Sequence, residues 1–216
     1  MKTLPTTRFA SEARRANYQL LTTNWRTRRP GLALVELIAG LGIGGIALVM
    51  IAAIYIAHFR LFSNQNTSIE VSSQNKIAID EITNQIRESQ AVVATCALAL
   101  CPLDSTSDTV VILQIWPIDS AGELFQPAGS DYDFIIYKRD SSDNTLVKKI
   151  IPGTGSFRQA SEKIIATNIS NLLFSYDDDA NPTSTSQVMV NLTTSANSGG
   201  KTITSTQTTK TVLRNK

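Results

Sequence analysis

Residues 37–57 read LIAGLGIGGIALVMIAAIYIA, 21 positions in a row without a charged side chain. As a helix rising about 1.5 Å per residue, such a run covers about 30 Å, the hydrocarbon thickness of a bilayer. Buried helices of soluble domains are seldom apolar on every face for so long, because one side normally meets water. The run therefore predicts a membrane-spanning helix. A secretory signal peptide would have a shorter apolar region, of about 7–15 residues, before a small-residue cleavage site. Only weak A-x-A-like candidates occur, between Ala53 and Ala57.

Charge is divided around this run. Seven of the 20 basic residues (Lys2, Arg8, Arg14, Arg15, Arg26, Arg28 and Arg29) and one of the 18 acidic ones, Glu12, precede Leu32. The remainder carries 13 basic and 17 acidic residues, a net charge of −4, and Arg60 is the only basic residue close to the far end of the run. Basic flanks stay in the cytoplasm, so the N-terminus is expected there and everything past about residue 60 outside it. A body of net −4 speaks against nucleic-acid binding, which asks for a basic stripe. With 216 residues the chain has room for one ordinary domain besides the anchor.

Glu36 stands just inside the apolar stretch, where a carboxylate costs on the order of 1–3 kcal/mol depending on depth. A charge in that position calls for a partner. The segment RRPGLALVELI, residues 28–38, resembles the N-terminal motif of prepilins, the precursors of type IV pilins and type II secretion pseudopilins. In that family a basic leader ends in Gly, a hydrophobic residue follows, and Glu is the fifth mature residue. Gly31, Leu32 and Glu36 occupy those positions, with Leu32 where the family more often has Phe or Met. The resemblance implies that prepilin peptidase cleaves between Gly31 and Leu32 and methylates the new Leu32 amine. It also implies that Glu36 pairs with the Leu32 amine of a neighbouring subunit during assembly, relieving a charge poorly solvated in lipid. Implied partners are other pilin or pseudopilin subunits, the peptidase, an inner-membrane assembly platform and membrane lipid. The implied location is a single pass in the cytoplasmic membrane, head outside, then a surface filament.

Gly40, Gly42, Gly44 and Gly45 crowd the first part of the membrane helix, and Gly40 with Gly44 makes a G-x-x-x-G spacing that lets helices approach closely in lipid. Related filaments often have a proline further along; none occurs here between Leu32 and Cys101.

The expected organisation is a leader at 1–31, a transmembrane and assembly helix at 32–62, and an exported head at 63–216. Helical spacing of Ile79, Ile82 and Ile86, with Ile69 and Ile77 upstream, extends the helix to about Val93 and gives it an apolar stripe facing a sheet. Residues 109–116, 132–138, 146–151, 187–192 and 201–213 are rich in β-branched and aromatic residues and predict strands, with a hairpin turn at 141–145. The fold class expected is α+β, a long N-terminal helix packed on a small antiparallel sheet, as in type IV pilins. The segment KKIIPGTGSFRQASEKIIATNISNLLFSYDDD, residues 148–179, resembles the head of PilW-type minor pilins and J-type pseudopilins. Asn168, Ile169, Leu172, Phe174 and Tyr176 carry that likeness.

Cys96 and Cys101 enclose only Ala-Leu-Ala-Leu. In an oxidising compartment the pair predicts a small disulfide loop, stabilising by about 2 kcal/mol. A redox C-x-x-C has two intervening residues, and a zinc site needs ligands that the single histidine, His58, does not supply. The same scarcity of histidine leaves no catalytic triad, so no enzyme activity, cofactor, metal or small-molecule substrate is expected. Gly153-Thr154-Gly155 after Pro152 reads as a turn and is too short for a phosphate loop. Asp177, Asp178 and Asp179 have oxygens that attract Ca²⁺ but lack EF-hand spacing, and read as a solvated turn. The functional expectation is a minor pilin or pseudopilin that assembles into, initiates or caps a filament. The alternatives are a pilus subunit that binds surfaces or DNA, and a signal-anchored receptor or enzyme unrelated to filaments.

Overall fold

Proline tolerates the first position of a helix, where its missing N–H has no partner to lose, and Pro30 opens α1 (Pro30–Glu88) there. The computed structural model describes residues 30–96, 98, 105–127, 129, 131–178 and 181–213, with side chains from residue 34 onward. The chain divides into two compact units between His58 and Phe59.

In the second unit α1 buries Val71, Asn75, Ala78, Ile79, Ile82 and Ile86, a stripe at helical spacing. Ile79, Ile82 and Ile86 are therefore core residues, as expected. Ile69 and Ile77 are not: they are 68% and 51% exposed. Position 77 falls on the far side of the helix from Asn75 and Ile79, so the apolar stripe cannot include it. The helix also stops at Glu88, short of Val93. Ser89 Oγ donates to the Ile86 carbonyl at 2.6 Å, and Ala91–Val92 forms β1 instead.

Two antiparallel sheets follow. The first has the order β1-β2-β3-β4-β5, with β2 Val110–Ile115, β3 Asp133–Asp140, β4 Thr145–Ile151 and β5 Ser161–Ala166. The second has the order β6-β7-β8, with β6 Ile169–Tyr176, β7 Gln187–Ser198 and β8 Lys201–Val212. The fold is thus α+β, a long helix on antiparallel sheets. The single small sheet expected is instead two. Asn168 makes the change of sheet possible: it adopts φ 61°, a left-handed conformation that asparagine tolerates. Its carbonyl accepts from Ser195 N, and the next amide, Ile169 N, donates to the Asn144 carbonyl in the turn that joins β3 to β4. A second link runs from Phe174 N to the Asp108 carbonyl at 2.7 Å.

Side chains alternate across the strands, so Val111, Leu113, Ile135 and Tyr137 face the helix stripe along with Ile169, Leu172, Phe174 and Val190. Ile112, Phe134, Ile136 and Ile151 make a second cluster on the other face of the first sheet, with Val93, Cys96 and Leu98 packed on it. The chain leaving β1 therefore folds back over that face. Its ends are close: Thr106 N donates to the Ala94 carbonyl, and Thr95 bridges Ser105. Cys96 is not a free thiol; Cys101 lies outside the described residues.

Where the helix meets the first sheet, Lys148 Nζ donates to Glu81 Oε1 at 2.6 Å and to Gln85 Oε1 at 3.0 Å, and Tyr137 Oη donates to Glu81 Oε1 at 3.3 Å. The Lys148 hydrogen bond is the main reason that the Glu81 carboxyl sits below its ordinary range. Burial, above all, pushes the Tyr137 phenol up. Glu81 thus binds its proton less readily in the folded head than in the unfolded chain. Its stabilisation is present above the ordinary carboxylate range and disappears as pH falls through its folded value. Glu81→Gln should narrow the difference in Tm between pH 7 and pH 3. The narrowing should be small, because the carboxylate is 37% exposed and screened by water. An unchanged difference would show that the Lys148 contact contributes nothing.

Candidate functional site

Every large hydrophobic side chain from Leu34 to Phe62 is exposed, by 52–71%. In water that surface would be costly at about 25 cal/mol for each Å², and soluble monomers rarely expose apolar patches of more than a few hundred Å². Among the described residues one helix is long and apolar enough to cross a membrane, and no part of its most apolar window is buried. A single such helix near the N-terminus could span a bilayer.

Leu32 and Glu36, both within α1, are four residues apart and so lie on one face, a turn from each other. Gly31 precedes them in the same helix. Glu36 is exposed among apolar neighbours, Val35 at 63% and Leu37 at 64%. A β-carbon added at Gly40, Gly42, Gly44 or Gly45 would meet nothing within 4 Å, so no contact among the described residues requires these glycines. Gly40 and Gly44 share a face and leave it shallow enough for another helix.

No protein-family model matches the chain, and no curated protein matches it.

In the head, the residues around the predicted acidic turn have local work. Asp177 accepts from Ser186 N and Oγ and from the Thr185 hydroxyl. The Ser186 hydroxyl and the Thr185 hydroxyl hold its carboxyl well below the usual range. Asp178 accepts from Asn181 N and Ser184 Oγ, while Asp179 lies outside the described residues. Among the described residues no group of three or more His, Cys, Asp and Glu side chains is placed to hold a metal. The Gly153–Gly155 segment is a turn: Gly155 has φ 84°, and a β-carbon at Gly153 would come within 2.5 Å of the Asp131 carbonyl oxygen.

Two features of the head escaped the sequence. Asp133, fully buried, accepts from Gly153 N at 2.8 Å, Ser156 Oγ at 2.9 Å and Arg158 Nε at 2.7 Å, which ties β3 to the loop after β4. A groove of about 940 Å³ lies beside the C-terminal turns of α1, lined among others by Arg87, Trp116, Arg158 and Lys210. Both gather residues from well-separated segments, and neither leaves a local pattern.

Proposed function

We propose that this chain is a membrane-anchored minor pilin or pseudopilin, a subunit that assembles into, initiates or caps a type IV pilus or type II secretion-like filament. The observation that carries the reading is the placement of Gly31, Leu32 and Glu36 at the head of a helix whose large hydrophobic side chains from Leu34 to Phe62 are exposed among the described residues. Lipid covers such a surface before assembly and neighbouring helices cover it afterwards. The shallow face at Gly40 and Gly44 suits the second state. The basic residues before Leu32 support an N-terminus held in the cytoplasm and a head outside.

Prepilin peptidase is expected to cut after Gly31. Protein purified from membranes of its native host should begin at Leu32 with a methylated amine, read by intact mass and N-terminal sequencing. Gly31→Leu should leave the uncut precursor in the membrane. A native chain that begins at Met1, or beyond Ala57, would overturn the reading in favour of a plain signal anchor or a cleaved signal peptide.

The exterior location also makes Cys96 and Cys101 a disulfide pair. The closeness of Ala94 to Thr106 and of Thr95 to Ser105 supports a short closed loop at that point. Alkylation before and after reduction should label both residues only in the reduced sample, and two thiols open to alkylation in native protein would exclude the bridge.

A further inference from the structure

We propose that the open edge of β8, with the groove at its C-terminal end, takes up an extended acidic segment of another protein as an added strand of the second sheet. The proposal concerns the head alone and holds whether or not the chain enters a filament.

β8 is an edge strand, and all of Lys201–Val212 pairs with β7 without a register shift. The backbone groups this leaves over follow from parity. In an antiparallel strand the N–H and C=O of one residue point the same way, and successive residues alternate. Ser195 N donates to the Asn168 carbonyl and the Gln187 carbonyl accepts from Asp177 N, so odd-numbered residues of β7 face β6. Even-numbered ones face β8, where their partners are odd-numbered, from Lys201 to Thr211. The N–H and C=O groups of Thr202, Thr204, Thr206, Thr208, Lys210 and Val212 therefore point away from β7. No hydrogen bond among the described residues takes them up. Natural edges are commonly blunted by proline, by bulges, by inward charges or by shortness. This one has 12 residues, where strands usually have about 5–6, with no proline and no charge between Lys201 and Lys210.

The end of the edge opens on the groove of about 940 Å³, since Lys210 and Val212 belong to its lining. Three cations from three segments meet there: Arg87 of α1, Arg158 of the loop after β4, and Lys210. The one acid of the lining, Glu88, accepts from Gln85 Nε2 at 3.3 Å. Arg158 is engaged by Asp133, whereas Arg87 and Lys210 enter no hydrogen bond or ion pair among the described residues. Two unengaged cations at the end of a bare strand edge complement an extended segment that carries carboxylates at one end. Trp116 and the exposed Leu124 add apolar contact in the groove. A small anion would use the groove and leave the edge bare. A second copy of β8 would bring no acid, because residues 201–212 contain none.

The test uses the full chain in detergent micelles and a fluorescently labelled probe peptide, Glu-Glu-Val-Thr-Val-Thr-Val, read by fluorescence anisotropy. This peptide should bind at least about tenfold tighter than one with two lysines in place of the glutamates. Arg87→Glu combined with Lys210→Glu should remove that preference, and about 0.5 M salt should shrink it. N-methylation of alternate peptide amides deletes the donors that a ladder needs, and should abolish binding without altering the protein. In the complex, hydrogen exchange should slow at the Thr206, Thr208 and Lys210 amides and stay unchanged in β6. Equal affinity for the two peptides, binding of neither, or full binding of the methylated peptide would overturn the proposal. A dimer seen by light scattering, with those β8 amides protected before any peptide is added, would overturn it in favour of self-pairing.

Discussion

Glu36→Ala is expected to yield a subunit that enters the membrane as well as the parent or better, is still cut after Gly31, and yet is almost absent from filaments. The asymmetry comes from what the carboxylate does in each state. In the anchored monomer it is a charge at the edge of hydrocarbon, and its removal relieves on the order of 1–3 kcal/mol. In a filament it would meet the Leu32 amine of a neighbour, and breaking one side of a poorly solvated ion pair costs about 3–5 kcal/mol per contact. At about 1.4 kcal/mol per factor of ten, recruitment should fall at least a hundredfold. Cross-linking to companion subunits and recovery in sheared filaments measure this directly. Glu36→Gln keeps the shape and removes the charge, so it should behave like alanine. If both variants assemble as well as the parent, Glu36 is a bystander at the interface and the signal-anchor alternative replaces the filament reading.

The second large effect is expected at Asp133, and it concerns stability alone. Its carboxylate is fully buried and takes three hydrogen bonds, from Gly153 N, Ser156 Oγ and Arg158 Nε. Asp133→Ala would leave the Gly153 amide without its acceptor and Arg158 without its counter-charge, at a cost of about 3–5 kcal/mol. For a chain of this size that is roughly a 10 °C drop in Tm. Arg158→Ala should cost less, because the guanidinium is partly in water and the carboxylate keeps two donors. The double variant should cost less than the two single changes added together, since both remove one contact. Near-UV circular dichroism of the detergent-solubilised chain, with Trp116 and Tyr132 rings 5.7 Å apart as local reporters, follows the unfolding. A Tm within 2 °C of the parent for Asp133→Ala would mean that the loop is held by other contacts.

These two residues also show what a sequence discloses and what it withholds. Glu36 stands out because the residues beside it are uniformly apolar, so a local rule about charge in lipid is enough. Asp133 looks like any strand-edge aspartate, and only the return of Gly153 to its side, 20 residues later, makes it a buried anchor. Strands β2, β3, β4, β7 and β8 were legible because their β-branched and aromatic residues are dense. In β5 the first four residues, Ser161 to Ile164, are exposed at the edge of its sheet, so no burial pattern marks it. β6 was legible only as a family-like segment, yet Ile169, Leu172 and Phe174 are among the most buried residues of the head. The division into two sheets depends on the backbone of one residue, Asn168, whose left-handed turn cannot be told from any other asparagine in a loop. Ile69 and Ile77 misled because isoleucine spacing alone does not say which side of a helix a sheet will cover. The candidate assembly residues, in contrast, lie within one short segment and needed no tertiary information.

The partnership between α1 and the β7–β8 hairpin sets an order of events in time. Asn75 finds its acceptors 117 and 130 residues later in the chain, at Leu192 and Ser205, and Ser63 meets Ser198 after 135. At roughly 5–20 residues per second of synthesis, the helix turn at Asn75 waits about 6–25 s for the last strands to exist. That turn of the helix, made early, is therefore sealed late, and a nascent chain halted before residue 187 presents it to whatever chaperone or protease stands by.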